Sequence, residues 1–401
     1  MDRGLRHEHD YDLESAARRG HRLTRRQVLR AGVMTVGVAV VGPPLAQSVT
    51  SRAAADVPGI AKPTPDSLFI ARGTNAEMRW SAMRGQGYLT PIDRFFVRNH
   101  TSTPRIDPTT WQLRVHGTGV EREVSFSYDD LLAWPHVSLT RFIECSGNGR
   151  SFFGTQQGET AAGTQWTLGA VGVAEWTGVR LSSVLERAGV KPSALDVMPV
   201  GLDDQQVRRP VPLEKALADD TLLVLGMNGR TLPPDHGFPA RLLVPGWVGV
   251  ANIKWVGSIE VSETPLTSPW NTTSYRMFGP AYPDSPLVTT QVVKSAIEQP
   301  MPAALRPGRG ELTGRSWSAY GRIRRVEISV DNGPWRDARL GARNESQAWR
   351  QWSAPWVATP GDHVVRVRAT DEHGTRQPDT VPFNEQGYLF GAVVDHPVAV
   401  A

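Results

Sequence analysis

Apolar positions in this chain keep helical spacing only over short stretches. Leu181–Ala188 has apolar residues at 181, 184, 185 and 188 with Gly189 just beyond, which predicts a short helix closed by glycine. Ser127-Tyr128-Asp129-Asp130-Leu131-Leu132 reads as a capped helix start that Pro135 ends, and residues 212–217 predict a third helix. Strands are predicted over 111–116, 139–144, 222–226, 241–244 and 253–261. Residues 56–110 form an irregular, proline-punctuated approach that contains the apolar run Phe95-Phe96-Val97. Helices and strands mixed without a regular alternation argue for an α+β fold.

From about residue 287 the period shortens to two. Val326, Ile328 and Val330 alternate with polar residues and run into Asp331-Asn332-Gly333, a hairpin signal. Val365, Val367 and Ala369 alternate with Arg366 and Arg368 and stop at Asp371-Glu372-His373-Gly374. This texture predicts an immunoglobulin-like β-sandwich over 287–401. The organisation read from the pattern is therefore a leader over 1–55, a larger domain over 56–286 and the sandwich.

Charge changes the picture in one place. The formal net charge is +4, but nine basic and five acidic residues fall within 1–55, leaving the body formally neutral. A neutral body lacks the basic footprint of a phosphate-backbone binder, so nucleic acid is excluded as a partner. In the leader, Thr24-Arg25-Arg26-Gln27-Val28-Leu29-Arg30 precedes an apolar stretch too short to span a bilayer, and Ala53-Ala54-Ala55 follows. This is similar to a twin-arginine signal peptide and implies export by the twin-arginine translocase to the periplasm or outer cell surface. The chain contains one cysteine, which cannot close an intramolecular disulfide.

That cysteine lies in Glu144-Cys145-Ser146-Gly147-Asn148-Gly149-Arg150, directly after a predicted strand. The glycines let the backbone approach a bulky ligand, and a thiolate suits a soft or high-valent metal. Arg150 offers a planar fork to an oxyanion. From these residues alone, a small buried hydrophobe accounts for Cys145 better. Arg98-Asn99-His100, Asp235-His236-Gly237-Phe238-Pro239-Ala240-Arg241 and Asn252-Ile253-Lys254-Trp255 tip the balance by placing basic and amide donors in turns that suit a phosphate or a pterin edge.

Taken in order, Phe95-Phe96-Val97-Arg98-Asn99-His100, Glu144-Cys145-Ser146-Gly147-Asn148, Met227-Asn228-Gly229 with Asp235-His236-Gly237-Phe238-Pro239, and Asn252-Ile253-Lys254-Trp255 resemble the motifs of the sulfite oxidase family. Lys294-Ser295-Ala296-Ile297-Glu298-Gln299-Pro300 and Gln377-Pro378-Asp379-Thr380 resemble its C-terminal dimerisation domain. The resemblance implies a molybdopterin domain followed by that sandwich, a molybdenum–molybdopterin cofactor and a homodimer. It implies Cys145 as the metal's thiolate ligand, and Asn99, His100, Asp203, His236, Arg241, Asn252 and Lys254 around the pterin and its phosphate. Arg98, Arg150, Trp166 and Tyr275 would line the substrate pocket, with an ordinary core role as the lesser alternative for either aromatic. The implied reaction is oxidation of sulfite to sulfate by oxygen-atom transfer at molybdenum, with electrons passed singly to an external acceptor such as a c-type cytochrome. One position departs from the family's animal members, where a third pocket arginine precedes a glycine; here Gln386 precedes Gly387. An exported S-oxide reductase and a non-catalytic exported binding protein are the rival readings.

Overall fold

The computed structural model describes residues 56–401, so the leader expectations lie outside the described residues. Strand dominates: helix makes up about 11% of the described residues. The longest described α-helix, Leu181–Ala188, has only eight residues. The α+β expectation thus resolves into a sheet-built protein with short helices.

The helices begin and end where their side chains say they should. Ser127 Oγ accepts from the Asp130 backbone N–H at 3.2 Å while Asp130 accepts from Ser127 N–H at 2.8 Å, closing the box that starts Tyr128–Ala133. Gly189 adopts a left-handed φ of 68° at the end of Leu181–Ala188, a conformation that glycine adopts without strain.

Two sheets build the larger half. In one, Val137–Glu144 pairs with Val171–Arg180, which pairs with Leu222–Met227, flanked by Arg230–Thr231 and Arg241–Leu243. In the other, Val124–Ser127, Gln112–His116, Val256–Ser262, Asp196–Gly201 and Val211–Pro212 lie in that order, with one parallel pairing between Gln112–His116 and Val256–Ser262. The apolar face of Leu181–Ala188 packs on Leu113, Val115, Val197 and Ile259.

Several elements differ from the predicted pattern, among them the unpredicted strands Phe69–Arg72, Asn75–Met78, Val124–Ser127 and Asp196–Gly201, and two of the differences bear on the site. The strand predicted over 253–261 starts only at Val256, because Trp255 takes a φ of 55° and turns the chain. Val171–Arg180 carries no predicted strand, since it is buried on both faces and interrupted by Gly172 and Gly178. Those glycines are required there: a Cβ at 172 would lie 2.5 Å from the Phe95 ring, and one at 178 would lie 2.1 Å from the Leu223 carbonyl.

Beyond residue 287 two sheets face each other. One orders Lys294–Ile297, Gly308–Trp317, Trp349–Ala358 and Arg339–Asn344; the other orders Ala303–Leu305, Asp395–Val400, Gly361–Asp371, Ile323–Val330 and Arg336–Asp337. Leu312, Trp352 and Ala354 of the first meet Val326, Val365, Val367 and Val398 of the second in a shared core. Asp331 and Asn332 take φ of 52° and 57° and reverse the chain where the Asp-Asn-Gly signal predicts a hairpin.

The halves are joined by a buried seam. Trp80 stacks on Trp317 at 5.8 Å, and Arg315 pairs with Glu298 at 2.7 Å while donating to the carbonyls of Gly87 and Tyr88. The larger half's sheet therefore rests against the C-terminal half directly behind Val137–Glu144, the strand that delivers Cys145.

Candidate active site

Cys145 follows the last residue of Val137–Glu144 and is set by backbone bonds on both sides. Its N–H donates to the Ala170 carbonyl at 2.9 Å, and its own carbonyl accepts from Asn148 N–H at 2.9 Å. Behind it, the fully buried Glu144 carboxylate accepts from Lys294 Nζ (2.8 Å), Asn148 Nδ2 (2.8 Å) and Trp317 Nε1 (2.9 Å). Lys294 and Trp317 belong to the C-terminal half, so that half fixes the cysteine loop from the rear.

In front of it, Cys145 forms the seam between two hollows. The first spans about 740 Å³, counting space open to solvent, and is walled by Arg98, Asn99, His100, Asp203, His236, Arg241, Asn252 and Lys254. The second spans about 690 Å³, counted the same way, and is walled by Arg98, Arg150, Trp166, Tyr275, Gln386 and Tyr388. All twelve site residues named from the sequence therefore line one hollow or the other, and Arg98, Cys145 and Tyr275 line both.

The first hollow gathers Arg98, Arg241 and Lys254 with two histidines against two carboxylates, Asp203 and Asp235. Burial, with Arg98 and Lys254 adding repulsion, pushes His100 down to about 3. Burial also lowers His236 well below its usual value, with Lys62, Lys254 and Arg241 adding to the effect. Burial pushes Arg241 down to about 9 and Lys254 well below the usual lysine range. Lys254 reaches the hollow because the chain turns at Trp255; its ammonium donates to Asn99 Oδ1 and to the Asp235 carbonyl (2.9 Å).

Several polar atoms in these walls have no protein partner: His236 Nε2, Arg241 Nε, Asp203 Oδ2 and Ser146 Oγ. Buried polar groups are normally paired, so such a cluster marks where a ligand completes the bonding. The donor set is cationic and planar, suited to a phosphate and to a heterocycle rich in amide-like edges. Among the described residues no group of three or more His, Cys, Asp and Glu could hold a metal ion, so Cys145 would contribute one ligand beside an organic one. The residues fit an anionic pterin cofactor that carries its metal to Cys145.

Not every predicted residue presents a free group. Asn252 spends its side chain on the backbone, accepting from Val244 N–H at 2.8 Å and donating to the Val248 carbonyl at 3.3 Å, so it shapes the turn. Asn99 likewise donates to Thr103 Oγ1 at 2.9 Å. Gln386 accepts from Tyr275 N–H at 3.2 Å and donates to the Thr273 carbonyl at 3.0 Å, so both ends of its amide brace the Tyr275 loop.

In the second hollow Arg150 is held for work at one end. Its Nε donates to the Gln386 carbonyl and one terminal nitrogen to the Thr164 carbonyl, each at 2.9 Å. Gly387, at a φ of 59°, makes room for it: a Cβ there would lie 2.6 Å from Arg150 Cγ. Tyr275 stacks on Tyr388 with centroids 5.1 Å apart and ring planes 6° apart.

Sequence reasoning missed three contributors. Lys62 is pushed down to about 7 by burial, and its Nζ donates to the Ile92 and Phe95 carbonyls beside His236. Asp235 accepts from the N–H groups of Ala61 and Lys62 at 2.8 Å, tying the first described segment to the cofactor hollow. Tyr388 backs Tyr275. Lys62 and Tyr388 sit in no quoted motif, and Asp235 sits in one without a role assigned to it; tertiary contacts bring all three in.

Comparison with known proteins matches this geometry. Residues 100–270 match the family described as the oxidoreductase molybdopterin binding domain, and residues 287–393 match the Mo-co oxidoreductase dimerisation domain. The sulfite oxidase of Gallus gallus is 35% identical over 330 residues, which cover 75% of this chain and 71% of that protein. The chain belongs to the sulfite oxidase family.

Its molybdopterin-binding domain therefore calls for a molybdenum–molybdopterin cofactor, in agreement with the donor set of the first hollow. Mitochondrial sulfite oxidase of Mus musculus is 34% identical over 333 residues, covering 77% of this chain. The chain spans about six-tenths (61%) of the length of that relative. Among solved structures, the sulfane dehydrogenase SoxCD from Paracoccus pantotrophus superposes with a TM-score of 0.72 at 28% identity, covering 92% of this chain and 96% of that one.

Proposed function

We propose that this protein oxidises sulfite to sulfate with molybdenum–molybdopterin and passes the electrons singly to an external acceptor, a c-type cytochrome. The observation that carries the reading is the position of Cys145 at the seam between a cation-walled cofactor hollow and a chamber lined by Arg98 and Arg150. When bound, the cofactor supplies the oxygen-atom transfer and the two-electron chemistry.

The protein's own contribution is electrostatic. His236, Arg241 and Lys254 grip the cofactor's anionic end from positions where water no longer screens them. Arg150, fixed on two carbonyls, turns its remaining N–H groups to the chamber, and with Arg98 it holds a dianion beside the metal. Trp166 and Tyr275 close the chamber walls and exclude water.

The C-terminal pair of sheets is assigned an immunoglobulin-like topology and a homodimer interface, supported by the match to a dimerisation domain. That match also favours sulfite oxidation over an S-oxide reductase built on the molybdenum domain alone. The twin-arginine leader supports export, and a reporter fused to residues 1–55 tests it: secretion only from a host with a working twin-arginine translocase is expected.

A second reading, oxidation of sulfane sulfur, is favoured by one observation. Gln386 spends its amide on the Tyr275 loop, so the chamber carries less charge than one with a third arginine, and the SoxCD dehydrogenase covers nearly the whole chain. Purified holoenzyme decides between them. Sulfite-dependent reduction of ferricyanide and cytochrome c, with about one molybdenum per chain on the same sample, is expected. Full molybdenum without sulfite turnover would move the substrate to sulfane sulfur.

A further inference from the structure

Arg209 is a buried cation that none of these roles uses. It is 0% exposed, and no carboxylate pairs with it among the described residues. Its terminal nitrogens donate to the carbonyls of Trp270 (2.9 Å) and Val288 (2.5 Å), which flank Tyr275 in sequence, while its Nε has no partner. Its guanidinium carbon lies 5.7 Å from the Tyr275 ring centroid.

Tyr275 stacks on Tyr388, and the Arg150 guanidinium lies 5.3 Å from the Tyr388 ring. The four residues thus form a row of cation, ring, ring, cation, with one end in the substrate chamber and the other behind its wall. Gln386, at the position where a third arginine would stand, is committed at both ends of its amide.

Burying a guanidinium without a carboxylate is costly, and two carbonyls and a ring offset only part of that cost. An anion in front of Tyr275 would offset more, because charge acts over such distances where water is excluded. We propose that Arg209 supplies the third positive charge of the substrate chamber, acting as a positioning residue through Tyr275 and not by touching the substrate. The inference rests on the reading of that chamber as an oxyanion site.

The test uses molybdenum-loaded R209Q and R209K beside the wild type. Sulfate affinity is measured by calorimetry, kcat and KM for sulfite by cytochrome c reduction, and molybdenum on the same samples. R209Q is expected to weaken sulfate and raise KM about tenfold, with kcat and molybdenum within about twofold, while R209K stays within about threefold on every measure. Unchanged sulfate affinity in R209Q would overturn the proposal. Equal losses in both variants, with molybdenum lost as well, would also overturn it and make Arg209 a brace for the loop. Should R209Q not fold, R209K alone decides: affinity within about threefold supports the charge role, and an about tenfold loss overturns it. A wild type that neither binds sulfate nor oxidises sulfite would instead reject the oxyanion reading itself.

Discussion

Two buried charged clusters meet at Cys145, and they are built on opposite plans. Behind the cysteine, Glu144 and Lys294 pair at 2.8 Å, with Trp317 and Asn148 filling the remaining sites. In front of it, burial and the crowding of Arg98, Arg241 and Lys254 hold His100 and His236 below their usual value, and atoms of His236 and Arg241 have no partner. The first cluster is complete without any ligand, which is the signature of a brace. The second is complete only when an anion arrives. Buried charge alone therefore does not mark a site; buried positive charge in excess of its carboxylates, with polar atoms left unpartnered, does.

The sharpest break in this comparison is at the seam itself. C145S should fold, because its neighbours are held by backbone bonds, yet lose sulfite turnover by more than about a thousandfold; thermal unfolding and steady-state rates check both halves. K294M should leave the Glu144 carboxylate buried and unpaired, at a cost of about 3–5 kcal/mol read by urea denaturation. R150Q should raise KM for sulfite about tenfold while molybdenum content holds; parallel loss of molybdenum would move Arg150 into the cofactor site.

A different kind of effect is a pH dependence of the cofactor-free protein. His100 and His236 have folded values lowered below 6.5, so below that pH the unfolded chain takes up protons that the folded one refuses. Stability should therefore fall as pH drops below 6.5, by up to about 1.4 kcal/mol per unit for each histidine. For His100 the loss levels off only near its folded value of about 3. Above 6.5 these two groups add no slope. With the cofactor bound, its negative charge favours the protonated rings, and the slope should flatten; urea midpoints from pH about 5 to about 7 compare the two forms.

Much of this was legible in the sequence, for local reasons. Ser127 and Asp130 cap a helix, Gly189 closes one, and Asp331-Asn332-Gly333 turns a hairpin, each through bonds a few residues apart. Nine of the twelve residues named for the site were legible because they sit in or beside motifs quoted in family order, while Asp203, Trp166 and Tyr275 follow only from the wider resemblance; all twelve line the two hollows. Val171–Arg180 was not, because a strand buried on both faces has no alternation, and its glycines answer to Phe95 and Leu223 from distant segments. Lys62 and Arg209 were equally hidden: an isolated basic residue reads as solvated surface until packing removes the water. Gln386 was legible as a departure, but its commitment to the Tyr275 loop shows only in three dimensions.

The most direct test sets K254M against K294M, comparing urea stability of the cofactor-free protein with molybdenum content after expression in a cofactor-competent host. If the front cluster exists for a ligand, K254M keeps its cofactor-free stability within about 1 kcal/mol and loses molybdenum about tenfold or more, while K294M loses several kcal/mol. K254M that retains molybdenum and unfolds as readily as K294M would contradict it, and both clusters would then be braces.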